Sequence, residues 1–534
     1  MLRKKISLLL ALLLCQTPAV FSQPHIERSA PFEITDEDGF MKVVQFKNGK
    51  TCYLNFVGEG GITFKLFDAA HKPTISTKIR STKWDADDYK STAICATYEI
   101  HDELVIFLLQ QNNSKENILH RIRVNEETGK IIKEDEIASG RKMGLFPFSI
   151  YVKSFIVQKD PNSDCYGVIS ADATFGKATF LVQHFDGNHN LISSVTESTK
   201  DNGGLCPMAI AVNGDKALYL TSGELGGMGD VNSTYISKLT KESKTIDYKP
   251  LEFAVDFKSS TCQMQFRHSD NKVEVLFTTR VKSKLFSNKS LYMSCLALLN
   301  SDNLNVLSLK ELTNKKINEF GHTILAAEKD FDGVCNGFVL TNNNETFLLS
   351  EEMSYEVVSK MPGKGISKSY LGNIGITQLN ADAEESAGYL IESKKKIEGE
   401  VPFMFLKDNG KGAWVISPDR MHDATNNQEV KFLFISGKKA NYILINQLDV
   451  YMQAGNAESL KRRDFNQGTI EACYYTLKNG NMAKAPVFGN VTPGVEHTCY
   501  IGSADVNSDG VVATLERSVD GKKTTGHIVW LTFE

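Results

Sequence analysis

The sequence predicts an all-β fold in which four-stranded antiparallel units repeat around a closed ring. Three observations carry that expectation. Runs rich in Val, Ile, Phe, Tyr and Thr alternate with clusters of Gly, Asn, Asp and Ser, the composition of short strands and tight turns. Helical periodicity is nearly absent. One tight polar turn also recurs down the chain at intervals of roughly 50 to 70 residues, the length one four-stranded sheet needs.

The chain opens with Arg3, Lys4 and Lys5, followed by an apolar run at 6–15 (ISLLLALLLC) and a short segment, QTPAVFS, that places Val20 and Ser22 before Gln23. A positive, then apolar, then small-residue order reads as a secretory signal peptide over 1–22, and the apolar run is too short to span a membrane. Leu14 stands where a lipoprotein would need a small residue before Cys15. The expectation is a mature chain, 23–534, forming one domain and secreted or periplasmic. Losing three positive charges and no negative ones takes the formal charge from −4 to −7. An acidic chain with no basic tail is unsuited to general nucleic-acid binding, and no later apolar run predicts a transmembrane segment.

The first tight turn of each unit reads FKNGKT at 46–51, IHDELV at 100–105, PNSDCY at 161–166, VNGDKA at 212–217 and HSDNKV at 268–273. It continues as DFDGVC at 330–335, NADAEES at 380–386, SGKKAN at 436–441 and VNSDGV at 506–511. The turn before the fourth strand repeats as well, for example FDAAHKPTI, HFDGNHNLI and LKDNGKGAW. Nine units result, and the last has three strands, ending at HIVWLTFE. The segment APFEIT, 31–36, is expected to supply its fourth strand and close the ring.

A repeated four-stranded meander of this length resembles a β-propeller of about seven to nine blades, in which radial repetition leaves only short, protected edges. Family signatures are missing: Trp84-Asp85 is a lone WD dipeptide and Gly226-Gly227 a lone kelch-like pair. The chain most resembles uncharacterised secreted propeller-like proteins of Gram-negative bacteria. That resemblance implies architecture and no particular chemistry.

The nine cysteines after Cys15 (52, 95, 165, 206, 262, 295, 335, 473 and 499) are odd in number and lie inside apolar runs, as buried free thiols do. The stretch 505–516, DVNSDGVVATLE, matches the calcium-loop template at Asp505, Asn507, Asp509, Gly510 and Glu516. It falls where the other units have a tight turn, however, and its flanks alternate like strands instead of helices, so the turn reading is the expectation. His184 and His189 flank the turn QHFDGNHNL and are expected to be exposed. The acid groups Asp85, Asp87 and Asp88, and Glu384 with Glu385, read as solvated loop charge. There is no nucleophile elbow, phosphate loop or zinc spacing. No catalytic, cofactor-binding or metal-ligating residue is therefore assigned, and no cofactor is expected.

In an antiparallel meander the connections alternate between two faces. The longer ones, at 222–233, 280–290, 393–400 and 447–467, fall on the face opposite the tight turns, where a rigid scaffold usually displays its binding loops. Segment 280–290 carries Arg280, Lys282, Lys284 and Lys289 and no acid. The function expected is that of an exported, non-catalytic scaffold using this face to bind a polymer or protein ligand, a glycan or an envelope protein, which an excess of basic residues would make anionic. Two alternatives stand beside it. One is a carbohydrate-active enzyme with carboxylates near the central channel, and the other is a structural component of the cell envelope.

Overall fold

Middle strands of the repeat read as continuous apolar runs, and the fold explains why. In the strand Glu103–Gln111, Leu104, Ile106 and Leu108 pack toward one neighbouring unit while Val105, Phe107 and Leu109 pack toward the other. A strand buried on both faces shows no polar alternation. Full burial of a side chain such as Phe107 is worth about 2–3 kcal/mol. The computed structural model describes residues 23–32, 39–57, 61–85, 92–111, 116–141, 155–174, 177–199, 204–225, 231–253, 259–281, 291–341, 345–357, 366–393, 395–400, 432–449, 469–489, 495–520 and 523–533.

Among these residues, eight four-stranded antiparallel units follow one another. The first comprises Gly39–Gln45, Thr51–Val57, Ile62–Phe67 and Pro73–Ile79. The second comprises Thr92–Ile100, Glu103–Gln111, Glu116–Asn125 and Ile131–Arg141. Phe155–Lys159, Tyr166–Thr174, Lys177–Phe185 and Leu191–Ser198 form the third, and Leu205–Asn213, Ala217–Leu225, Val231–Leu239 and Lys249–Leu251 the fourth. The fifth is Ser259–Arg267, Lys272–Val281, Leu291–Asn300 and Val306–Leu312; the sixth is Val334–Leu340, Thr346–Val357, Ile366–Leu379 and Glu385–Ile391. Phe432–Ser436, Asn441–Asp449, Thr469–Lys478 and Asn481–Pro486 make the seventh. The eighth joins Val495–Cys499, Val511–Asp520 and Lys523–Thr532 to His25–Arg28 from the other end of the chain. A single parallel pairing, Glu471 with His497, merges units seven and eight into one larger sheet.

Each unit buries apolar side chains against the next. Leu54 and Ile106 meet between the first and second, Phe107 and Tyr166 between the second and third, Phe180 and Leu220 between the third and fourth. The series continues with Tyr219 and Phe277, Leu276 and Leu348, Phe347 and Ile443, then Leu444 and Leu531. Tyr53 and Trp530 complete it by packing the eighth unit on the first. Eight units with eight seams make a closed, eight-bladed β-propeller.

Eight blades fall within the seven to nine expected, and the surplus ninth candidate unit has a local cause. The turn at 380–386 does not open a blade; it joins the third and fourth strands of the sixth, with Asn380 and Glu384 closing it. The segment 330–335 is not a hairpin either. It follows a helix, Lys315–Ile324, which the weak helical periodicity concealed. The companion turn LKDNGKGAW lies outside the described residues. Ile317 and Phe320 bury the helix against the outer strand of the sixth blade. Gly388 permits the close approach, since a Cβ there would meet the Lys316 carbonyl carbon at 2.2 Å.

The strand beside Lys523–Thr532 is His25–Arg28, upstream of the 31–36 segment, from which Phe32 makes one bridge to Gly526. All nine described cysteines are unpaired, eight of them buried. No helix among the described residues is long and apolar enough to cross a membrane. Residues 1–22 lie outside the description.

Candidate functional site

The tight-turn face is built from one recurring local structure. Asp68 accepts hydrogen bonds from the backbone N–H groups of Ala70 and Lys72 through one side-chain oxygen. Asp186 does the same for Asn188 and Asn190, Asn380 for Asp382 and Glu384, and Asn507 for Asp509 and Val511. In all four, the residue three positions on is left-handed: His71, His189, Ala383 and Gly510 have φ of 60°, 64°, 61° and 78°. Asp and Asn favour this turn because the short side chain satisfies backbone donors two and four residues ahead.

The calcium-loop match at 505–516 is therefore a turn of the same kind as three others. Its remaining acids are committed elsewhere. Asp505 accepts the Gln45 N–H at 2.7 Å, and Asp509 lies 3.5 Å from Lys438. Glu516 sits well up the strand Val511–Asp520, bonded to Arg28 and His497.

These turns are bonded to one another across blades. Lys47 N–H donates to Glu99 and His101 N–H to Asp164. Two contacts span a blade: Lys47 Nζ reaches Asp164 at 2.9 Å, and His268 Nε2 donates to Asp160 at 2.7 Å. Fully buried Asp160 also accepts from Asn162 N–H, Ser163 Oγ and Gly214 N–H. Burial pushes its carboxyl up, but these four donors outweigh burial and hold it below the ordinary carboxylate range. Serine, histidine and aspartate meet here in the wrong order for a hydrolase. The carboxylate separates Ser163 from His268, so the serine has no base.

His184 and His189 correct the expectation of exposure: both are buried. His184 Nε2 donates to the Gly214 carbonyl at 2.8 Å, stitching blade three to blade four. His189 Nδ1 lies 3.0 Å from the Tyr166 hydroxyl, whose oxygen accepts a bond from Arg121. Burial, together with the charges of Arg123 and Arg121, pushes His189 down to about 4. The neutral ring thus accepts a hydrogen bond from the tyrosine hydroxyl. Glu103 beside it forms a bidentate pair with Arg123 at 2.6 and 2.7 Å. The turn sequence gave no sign of this, because Tyr166 comes from another strand of blade three and Arg121, Arg123 and Glu103 come from blade two.

Of the acid groups, Glu384 is exposed and paired with Lys310, whereas Glu385 accepts the N–H groups of Thr313 and Lys316 and so caps the helix. Asp85 is exposed, and Asp87 and Asp88 lie outside the described residues. A charged cluster that the sequence did not single out lies at the seam of blades seven and eight. Buried Glu516 bonds Arg28 at 2.7 Å and His497 at 3.3 Å, and Glu471 faces His497 from the other blade. Burial pushes Glu516 up, but His497 and Arg28 more than offset it, and its pKa is lowered.

On the opposite face, the longest projection among the described residues comes from blade six. Its second and third strands run to 12 and 14 residues, and Lys395–Glu400 pairs along the far end of the third. The 393–400 segment is thus largely a strand, contrary to the loop expected. It sits on that face because the strand it pairs with extends past the sheet. Segment 222–233 is also mostly strand at its ends, Ala217–Leu225 and Val231–Leu239. Arg280 ends the strand Lys272–Val281, paired with Tyr292. Lys282, Lys284 and Lys289, and 450–467, lie outside the described residues.

No protein-family model matches the chain, and no curated protein does. Among solved structures, a prolyl endopeptidase matches over 90% of the chain at 8% identity with a TM-score of 0.40, and the chain spans only 55% of that protein. The polysaccharide lyase Uly1 matches over 82% of the chain and 90% of its own, at 12% identity and TM-score 0.37. The WD40 domain of SCAP from fission yeast matches over 71% and 91%, at 9% identity and TM-score 0.29. Likenesses this distant carry no activity across. The propeller assignment rests on the eight four-stranded units and their eight seams.

Proposed function

We propose that the protein is an exported, non-catalytic scaffold that binds a polymer or protein ligand on the face opposite its tight turns. The observation that supports this reading is the bonding of turn to turn. Asp160, Asp164, Glu99 and Asp505 spend their carboxylates on backbone and side-chain donors of other blades, so the tight-turn face is a rigid plate. On the opposite face blade six carries a three-stranded projection, and a rigid plate beneath it is the support that a binding surface needs.

The test is a glycan array probed with the mature chain at low and high salt. Binding to acidic glycans that weakens with salt, and is lost when Arg280, Lys282 and Lys284 are changed to Ser, is the expected outcome. Hydrolysis or elimination of any bound glycan would overturn the non-catalytic reading.

A further inference from the structure

Four of the chain's eleven histidines gather around one short strand, His25–Arg28. His25 Nε2 and His71 Nδ1 both reach the Glu27 carboxylate, at 3.3 and 2.7 Å. His71 also stacks on Trp530, with ring centroids 3.8 Å apart, at the seam that closes the ring. His497 shares Glu516 with Arg28, and His527 Nδ1 donates to the Ser29 carbonyl at 2.9 Å. Other charged groups near the strand, among the described residues, are Glu471, opposite His497 at the seam of blades seven and eight, Lys65, whose ammonium lies 4.0 Å from the Phe32 ring centroid, and Lys42 and Asp505, which bond across the seam of blades eight and one. Four backbone pairs hold the strand to Lys523–Thr532, and Ser29 and Phe32 extend the pairing to Ile528 and Gly526. The side-chain contacts add to this attachment.

We propose that this N-terminal strand is a pH-responsive clasp on the propeller, tightest in mildly acidic solution and looser as His497 loses its proton. Histidine is the side chain whose ordinary charge change falls between pH 5 and 8. The bond to Glu516 raises the His497 pKa, partly against burial. That contribution is fully present below the ordinary histidine value, about 6.5, and is lost as pH rises through the raised value. Glu27 and Glu516 are both lowered, Glu27 chiefly by its bond to His71. Their contribution is present above about pH 4.3 and is lost as pH falls through the lowered values. The two limits leave a window of maximal closure from about pH 4.5 to 6.5. Opening would bare the edge of Lys523–Thr532, and an unpaired edge is a template for another strand.

Hydrogen exchange of the full mature chain, read by mass spectrometry at pH 5.5 and 8.5 and divided by the intrinsic rate, tests the clasp. Protection of 24–29 should be lower at pH 8.5 than at pH 5.5. Protection of Val306–Leu312, an outer strand of blade five, should hold. His71→Gln with His497→Gln should flatten the profile of 24–29. His322→Gln should not, because His322 bonds Ala327 and Asp330 far from the strand. Equal protection of the wild-type strand at both pH values overturns the proposal, as does a steep profile surviving in the double variant. Should the double variant not fold, Glu27→Gln provides the same comparison.

Discussion

Asp160 illustrates what single residues do in this molecule. One carboxylate bonds to groups from blades three, four and five, so its removal strands several buried donors at once. Asp160→Ala should destabilise by about 3 kcal/mol or more, seen as a lower urea midpoint, because breaking a buried charged network leaves partners unpaired. Asn507→Ala removes one turn of the recurring kind and should cost only about 1 kcal/mol. Added calcium should not raise the midpoint of the wild type. Glu126 behaves in the opposite sense to Asp160. It is buried, and burial with the charges of Glu99, Asp102 and Glu127 pushes it up to about 7. A carboxyl with a raised folded pKa favours the fold at low pH and costs stability as pH climbs through that value. Glu126→Gln, which keeps an oxygen for Asn48, should therefore stabilise at pH 8 by on the order of 1 kcal/mol after solvent screening, and change little at pH 5.

Among the described elements, the helix Lys315–Ile324 departs from the repeat, and its seat depends on a missing side chain. Gly388→Val should lift the helix from the sheet, exposing Ile317 and Phe320, at a cost of about 1–3 kcal/mol. Loss of exchange protection over 315–324, with Glu385–Ile391 still protected, is the expected signature. Protection lost equally in both would mean that the helix is integral to the blade. This element also shows where local pattern misleads. DFDGVC and NADAEES have turn composition, and each does end or begin a strand. Their rank within the repeat was hidden by an inserted helix whose apolar stripe is only three buried residues wide.

For the whole molecule, the ring is held by seams that close only when residues nearly 500 positions apart meet. Arg28 bonds Glu516, and Tyr53 packs with Trp530. Deleting residues 23–31 should leave the strand Lys523–Thr532 unpaired along one edge. Light scattering should then show dimers or larger species, while the intact chain stays monodisperse under the same conditions. A deletion variant that remains monodisperse would show that the edge is protected in some other way.

The all-β class, the four-stranded unit, the tight turns and the buried, unpaired cysteines were legible in the chain, because they depend on local composition and on a period that repeats. The reading of 505–516 as a turn belongs with them, since the recurrence of Asp and Asn at matched positions is itself a sequence fact. Three things were decided by the tertiary structure alone. The nine candidate units became eight blades because strand order, unlike strand existence, is set by which sheets pair. His184 and His189 became buried because segments distant in the chain close over them, Gly214 of blade four on His184, and Tyr166 of their own blade with Glu103 of blade two on His189. The cluster of Arg28, Glu516, His497 and Glu471 formed because the ring brings the two ends of the chain together. Local sequence determines what a segment can form, and only closure of the ring determines which charges must then share a buried seam.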